Sequence, residues 1–109
     1  MDITLQYFDG CPNWKVLDGR LAEVLADRTD VPLTYQRIET PDDAARLGFH
    51  GSPTVLIDGT DPFAEPGAPV GLACRMFRTP DGAAGAPTVE QLRAAIEDAA
   101  RLHAGVARS

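Results

Sequence analysis

Between residues 2 and 38 the hydrophobic period changes twice, and those changes restrict the chain to very few folds. In residues 2–8, "DITLQYF", the period is two: Ile3, Leu5 and Tyr7 take one face, Thr4, Gln6 and Phe8 the other. That is the mark of a strand. Over residues 12–28 it lengthens to that of a helix. Trp14, Leu17, Leu21, Val24 and Leu25 share one stripe, and Lys15, Asp18, Glu23 and Asp27 are placed to face water. Pro12 suits the first turn, where its missing N–H leaves nothing unpaired. Residues 31–38, "VPLTYQRI", are strand-like again, with Pro32 marking an edge or an irregular start. Two strands joined by a helix of this length predict a parallel, right-handed crossover.

The alternation continues. Residues 40–48, "TPDDAARLG", predict a short helix: Thr40 caps it, Pro41 takes its first position, Asp42 and Asp43 lie at its positive end, and Gly48 ends it. Residues 54–57, "TVLI", suit a central strand covered on both faces. Residues 74–79, "CRMFRT", read as a fourth strand, paired antiparallel with the third. Residues 88–102 read as the last helix, with Thr88 and Gln91 at capping-box spacing and Val89, Leu92, Ile96 and Ala99 as its apolar stripe. Beyond Leu102 the tail is expected to fray, leaving His103 in solvent. The predicted order is β-α-β-α-β-β-α, in one domain of residues 1–109.

The connection at residues 58–73, "DGTDPFAEPGAPVGLA", is far longer than a hairpin loop. Its three prolines and three glycines make it irregular. Phe63, Val70 and Leu72 supply apolar area to order it, and it is expected to pack over or beside the Cys11 end of the sheet.

Composition then removes several functions. A chain of 109 residues, 44% hydrophobic and 24% charged, is ordinary for one globular core. No apolar run approaches the ~20 residues that span a bilayer. The start, "MDITLQYFDG", lacks the pattern of a signal peptide, so the expected location is cytoplasmic. A net charge of -6 argues against nucleic acid, whose affinity rests on basic contacts to phosphate. Two cysteines are too few for a disulfide framework or a structural zinc site. No phosphate loop, metal-ligand helix or Ser-His-Asp order is present, and no cofactor is implied.

Cys11 stands where the first strand gives way to the first helix. Unsatisfied N–H groups and the positive dipole end stabilise a thiolate there, below the free cysteine pKa of ~8.5. Cys11 is therefore expected to be partly exposed with a lowered pKa; the alternative is an inert buried cysteine. Lys15 assists if its amine reaches the sulfur, and Asp9 opposes. Cys74 opens the fourth strand, where a small apolar residue packs equally well. Strand direction alone puts it far from Cys11, unless the 58–73 connection folds back. Trp14 is expected to pack on its helix stripe, and His50 to be an exposed loop residue.

This order of elements, with a cysteine at the first strand-to-helix junction, resembles the thioredoxin-like fold. Two stretches carry the resemblance. In "DGCPNW", Cys11 matches the first cysteine of the family's Cys-x-x-Cys motif, and Trp14 stands in place of the second. "GFHGSPTVLIDG" is similar to the family's segment of glycine, x-Pro-Thr and an apolar strand. The resemblance implies a three-layer α/β/α sandwich around a central four-stranded mixed sheet, with a long insertion between the last two strands. It also implies a cis peptide between Ser52 and Pro53 beside Cys11. Pro12, Trp14, Ser52, Pro53 and Thr54 are then the substrate-binding residues, and the unpaired backbone at Ser52–Pro53 receives the substrate as a short β-pair.

The implied function is thiol–disulfide exchange with Cys11 as nucleophile, acting on a protein disulfide or a low-molecular-weight thiol. Cys11 is resolved either by a small thiol, as in monothiol glutaredoxin-like proteins, or by Cys74 across the site. Cys11 and Cys74 are thus the candidate catalytic residues. A second reading is soft-metal or organomercurial handling by two thiolates, loosely similar to the alkylmercury lyases, with Asp9 as the acid. A third is a redox-inactive binding module that keeps the fold.

Overall fold

The computed structural model describes residues 1–28 and 30–108, and of residues 102–108 the backbone alone. Strand β1 (Ile3–Tyr7) lies in the middle of a three-stranded sheet. Strand β2 (Leu33–Arg37) pairs with it in parallel, and β3 (Thr54–Ile57) pairs antiparallel on its other side. Helix α1 (Asn13–Leu25) connects β1 to its parallel neighbour β2. The strand register sets Ile3 opposite both Leu33 and Ile57, and Leu5 opposite both Tyr35 and Val55. The period of two therefore gathers Ile3, Leu5, Val55 and Ile57 on one face. Leu17, Leu21 and Val24 of α1 bury against them, together with Leu92 and Ile96 of α3 (Val89–Arg108). Each such side chain contributes ~1.5–3 kcal/mol on burial, so this cluster dominates the packing energy.

Phe8 has the opposite parity to Ile3 and Leu5. It packs on a second cluster of Ile38, Ala44 and Phe49, which seats α2 (Pro41–Leu47). The helix ends follow the local chemistry. Thr40 Oγ1 accepts the Asp43 N–H at 3.1 Å, and Gly48 closes α2 in the left-handed region at φ 64°. The Arg46 guanidinium, with help from Thr40, holds the Asp43 carboxyl below its usual range. Thr88 and Gln91 exchange bonds of 3.1 and 2.9 Å at the start of α3. Pro12 adopts helical angles but precedes α1 as its cap, and α1 stops at Leu25 rather than near Arg28. Helix α3 runs past the expected end at Leu102. The expectation for His103 falls on a side chain outside the described residues.

The four-stranded central sheet is corrected. Strand β4 (Phe77–Thr79) pairs with β5 (Gly82–Ala84) in a separate antiparallel hairpin, and among the described residues no fourth strand joins the sheet. The reason is local. Thr79 Oγ1 accepts the Asp81 N–H at 3.2 Å and donates to the Gly82 carbonyl at 2.6 Å, with Gly82 at φ 107°. That turn sends the chain back on itself and pairs β4 with β5. In consequence β3 is an edge strand, not a central one. Its last residue is met instead by a tight turn, with the Ile57 N–H donating to the Thr60 carbonyl at 2.8 Å. No helix among the described residues is long and apolar enough to cross a membrane.

Candidate functional site

The 58–73 connection is ordered by a few specific anchors, and these deliver Cys74 to the sheet end where Cys11 sits. The Gly71 N–H donates to the Phe49 carbonyl at 3.1 Å, and Leu72 packs on the Phe49 cluster. The Ser52 N–H donates to Ala73 and the Ser52 carbonyl accepts from Arg75, both at 2.8 Å, so Ser52 and Cys74 form one parallel β-bridge. Arg75 closes the fold-back. Its guanidinium donates to Asp61 Oδ2 at 2.6 Å, to the Phe63 carbonyl at 2.7 Å and to Thr54 Oγ1 at 3.2 Å. It also lies 4.5 Å from the centroid of Phe77, which meets Phe63 edge-on. The Arg75 and Asp61 side chains are only 9% and 13% exposed, so this ion pair is screened little by water. Val70, expected to anchor the loop, is exposed; Phe63 and Leu72 do the burying.

Cys11 and Cys74, 63 residues apart in sequence, are thereby joined in a disulfide with Cα atoms 5.8 Å apart. Their surroundings differ sharply. Cys11 is wholly buried, its Sγ 3.5 Å from the Ser52 carbonyl oxygen. Cys74 is exposed and lines a cleft of about 320 Å³ with His50, Glu65, Pro69 and Met76. The expected partial exposure of Cys11 is thus corrected: the returning segment lies beside Ser52 and shuts its sulfur in. Neither sulfur titrates in the disulfide, so the expected lowered pKa concerns the reduced chain alone.

Ser52–Pro53 is a cis peptide. Ser52, Pro53 and Thr54 are all buried: Ser52 Oγ accepts the Phe8 N–H at 3.3 Å, and Thr54 Oγ1 donates to the Gly51 carbonyl at 2.7 Å. The expected free backbone at Ser52 is corrected, because Ala73 and Arg75 already occupy both its polar groups. Pro12 is exposed beside Cys11 in sequence. Trp14 is half-buried and stacks on Tyr7 with centroids 4.3 Å apart. Lys15 points its ammonium over the Trp14 ring, 5.9 Å from the centroid. Asp9 is exposed and paired with Arg37 at 3.1 Å. His50 is exposed, with Nδ1 3.3 Å from the Pro69 carbonyl oxygen.

Two residues of the site escaped the sequence reading, Asp61 and Arg75, and Gly51 entered it only as the glycine of the x-Pro-Thr segment. Gly51 has φ 115°, and a Cβ there would lie 3.0 Å from Arg75 Cβ and 3.1 Å from the Ala73 carbonyl oxygen. Its missing side chain is what lets the returning segment approach. The one available signal was an arginine directly after the second cysteine, in a chain whose preceding loop carries three acidic residues, Asp58, Asp61 and Glu65. A larger groove, about 590 Å³, lies between Phe63, Ile57 and Ala95. It contains neither cysteine, whereas the smaller cleft is lined by Cys74. No family model, curated protein or solved structure matches this chain.

Proposed function

We propose that this protein is a thioredoxin-like thiol–disulfide oxidoreductase whose redox pair is Cys11 and Cys74. One observation carries the reading: the chain's two cysteines meet across 63 residues, Cys11 shut in the core and Cys74 an exposed residue lining a cleft. A merely structural bridge has no need of an open cleft beside one of its sulfurs. The fold supports the reading through the order β2-β1-β3, with β3 reversed and Cys11 at the β1–α1 junction.

The pair passes two electrons to or from a protein disulfide or a low-molecular-weight thiol. Resolution falls within the chain rather than to a small thiol, since the geometry brings Cys74 to Cys11. In a cytoplasmic setting the resting form is the dithiol, and the disulfide forms during turnover. Pro12 and the residues around Cys74 form the surface that a partner meets.

The test is turnover. With glutathione and a small disulfide, or with dithiothreitol and insulin, the wild-type protein accelerates exchange over the protein-free rate. Cys11→Ala and Cys74→Ser variants each lose that acceleration. Equal rates for wild type, both variants and buffer would refute the oxidoreductase reading and favour a redox-inactive binding module.

A further inference from the structure

We infer that Cys74, not Cys11, is the sulfur through which the disulfide exchanges with the outside. The inference rests on the proposed exchange activity and assigns the two sulfurs their roles within it. Thiol–disulfide exchange is a displacement at sulfur: the incoming thiolate, the attacked sulfur and the leaving sulfur must come close to one line. Attack on Cys11 therefore needs a thiolate on the side of Cys11 Sγ away from Cys74. Cys11 is wholly buried there, with the Ser52 carbonyl oxygen 3.5 Å from its sulfur. Attack on Cys74 needs a thiolate on its own outer side, and Cys74 is exposed and lines the cleft with His50 and Met76.

The electrons follow from that geometry. An external thiolate gives its pair to Cys74 Sγ, the Cys74–Cys11 bond breaks, and Cys11 Sγ leaves with the bonding pair. It takes a proton from solvent, and the resulting S–H has the Ser52 carbonyl as its acceptor. A second external thiolate attacks the mixed disulfide at its own sulfur, leaving Cys74 as thiolate and releasing the oxidised partner. In the opposite direction the Cys74 thiolate attacks a partner disulfide and expels one of its sulfurs. Cys11, once deprotonated, then attacks Cys74 Sγ, expels the second sulfur and closes the internal bridge. The Ser52–Cys74 β-bridge keeps the two cysteines in register between these steps. The exposed, exchanging cysteine is therefore the one far along the chain, and the cysteine at the head of α1 is the inner partner.

The experiment uses the oxidised wild-type protein. It is mixed with glutathione, quenched in acid after short intervals, capped with N-ethylmaleimide and digested with trypsin. The two cysteines separate onto different peptides, residues 1–15 and residues 47–75, because no lysine or arginine lies between those limits. Glutathione is expected on the Cys74 peptide and maleimide on the Cys11 peptide, by roughly tenfold or more, since accessibility governs the choice. The same mixture in urea labels the two peptides about equally. A native pattern equal to the urea pattern, glutathione mainly on residues 1–15, or no Cys74 adduct while the urea sample is labelled, each overturns the assignment. Adduct on Cys74 without turnover refutes the oxidoreductase reading and leaves the assignment standing. Turnover with adduct on Cys11 does the reverse.

Discussion

Ser52 and Cys74 lie side by side in a single parallel β-bridge, with Ser52 giving its N–H to Ala73 and taking the N–H of Arg75, both at 2.8 Å. Cys74 is thus held near Cys11 by backbone hydrogen bonds as well as by the disulfide. The same bridge covers the peptide groups that a docking strand would otherwise use.

Reduction should lower stability substantially without unfolding the chain. The disulfide closes a span of 63 residues. Loop-closure entropy for a span of that length corresponds to about 4 kcal/mol, and strain or residual unfolded structure reduces it. Urea unfolding of oxidised protein, reduced protein and Cys74→Ser should show the last two alike, both less stable by a few kcal/mol, on the order of 2–4. Equal midpoints in all three would mean that the bridge constrains nothing.

Arg75→Met should free the fold-back. It leaves the Asp61 carboxylate nearly buried and without its guanidinium partner, a loss of roughly 3 kcal/mol or more. Adding Asp61→Leu should restore part of that loss, because no unpaired charge then remains. The rate of disulfide reduction by dithiothreitol should rise in the single variant and fall back in the double. If Arg75→Met reduces at the wild-type rate, the clamp does not control access.

Gly51→Ala should push the returning segment off Ser52. A side chain at φ 115° is strained, at a cost of about 1–3 kcal/mol, and its Cβ would press on Arg75 Cβ and the Ala73 carbonyl. Hydrogen exchange at the Ser52 and Arg75 amides reports the bridge directly and should quicken in the variant. Gly59→Ala, also at positive φ but with open space around its Cβ, serves as the control for strain alone.

The surface bond between β2 and α1 should appear in a tyrosine titration. Tyr35 donates its hydroxyl to Asp18 Oδ1 at 2.5 Å, which raises its pKa, with smaller contributions from desolvation and from the carboxylate charge. A raised folded pKa stabilises below the free tyrosine value of ~10 and loses that stabilisation as pH climbs through the folded value. Asp18→Ala should therefore move the Tyr35 midpoint down in an ultraviolet titration, and stability above that pH should depend less on pH. An unmoved midpoint would show that the bond is not formed in solution.

Much of the fold was legible because its determinants are local. The β1–α1–β2 crossover needed only the changes of period around Leu5, Leu17 and Tyr35. Thr40, Gly48 and the Thr88–Gln91 pair mark helix ends through bonds that reach no more than a few residues. The β4–β5 hairpin was misread although its turn is equally local. Asp81-Gly82 is a turn signal, but the flanking strands are only three residues each and carry little alternation to announce them.

The sequence by itself determined the alternation of strands and helices, the capped helix ends and a cysteine at the head of α1, since each depends on neighbours within about one or two turns of chain. Tertiary structure alone decided that Cys74 reaches Cys11 and that Cys11 is the buried sulfur. Those outcomes hang on Gly71 finding Phe49, Arg75 finding Asp61 and Thr54, and Gly51 making room for Ala73 and Arg75. Such contacts join residues tens of positions apart. Their strength depends on distance and burial in the folded chain, quantities that no local period encodes.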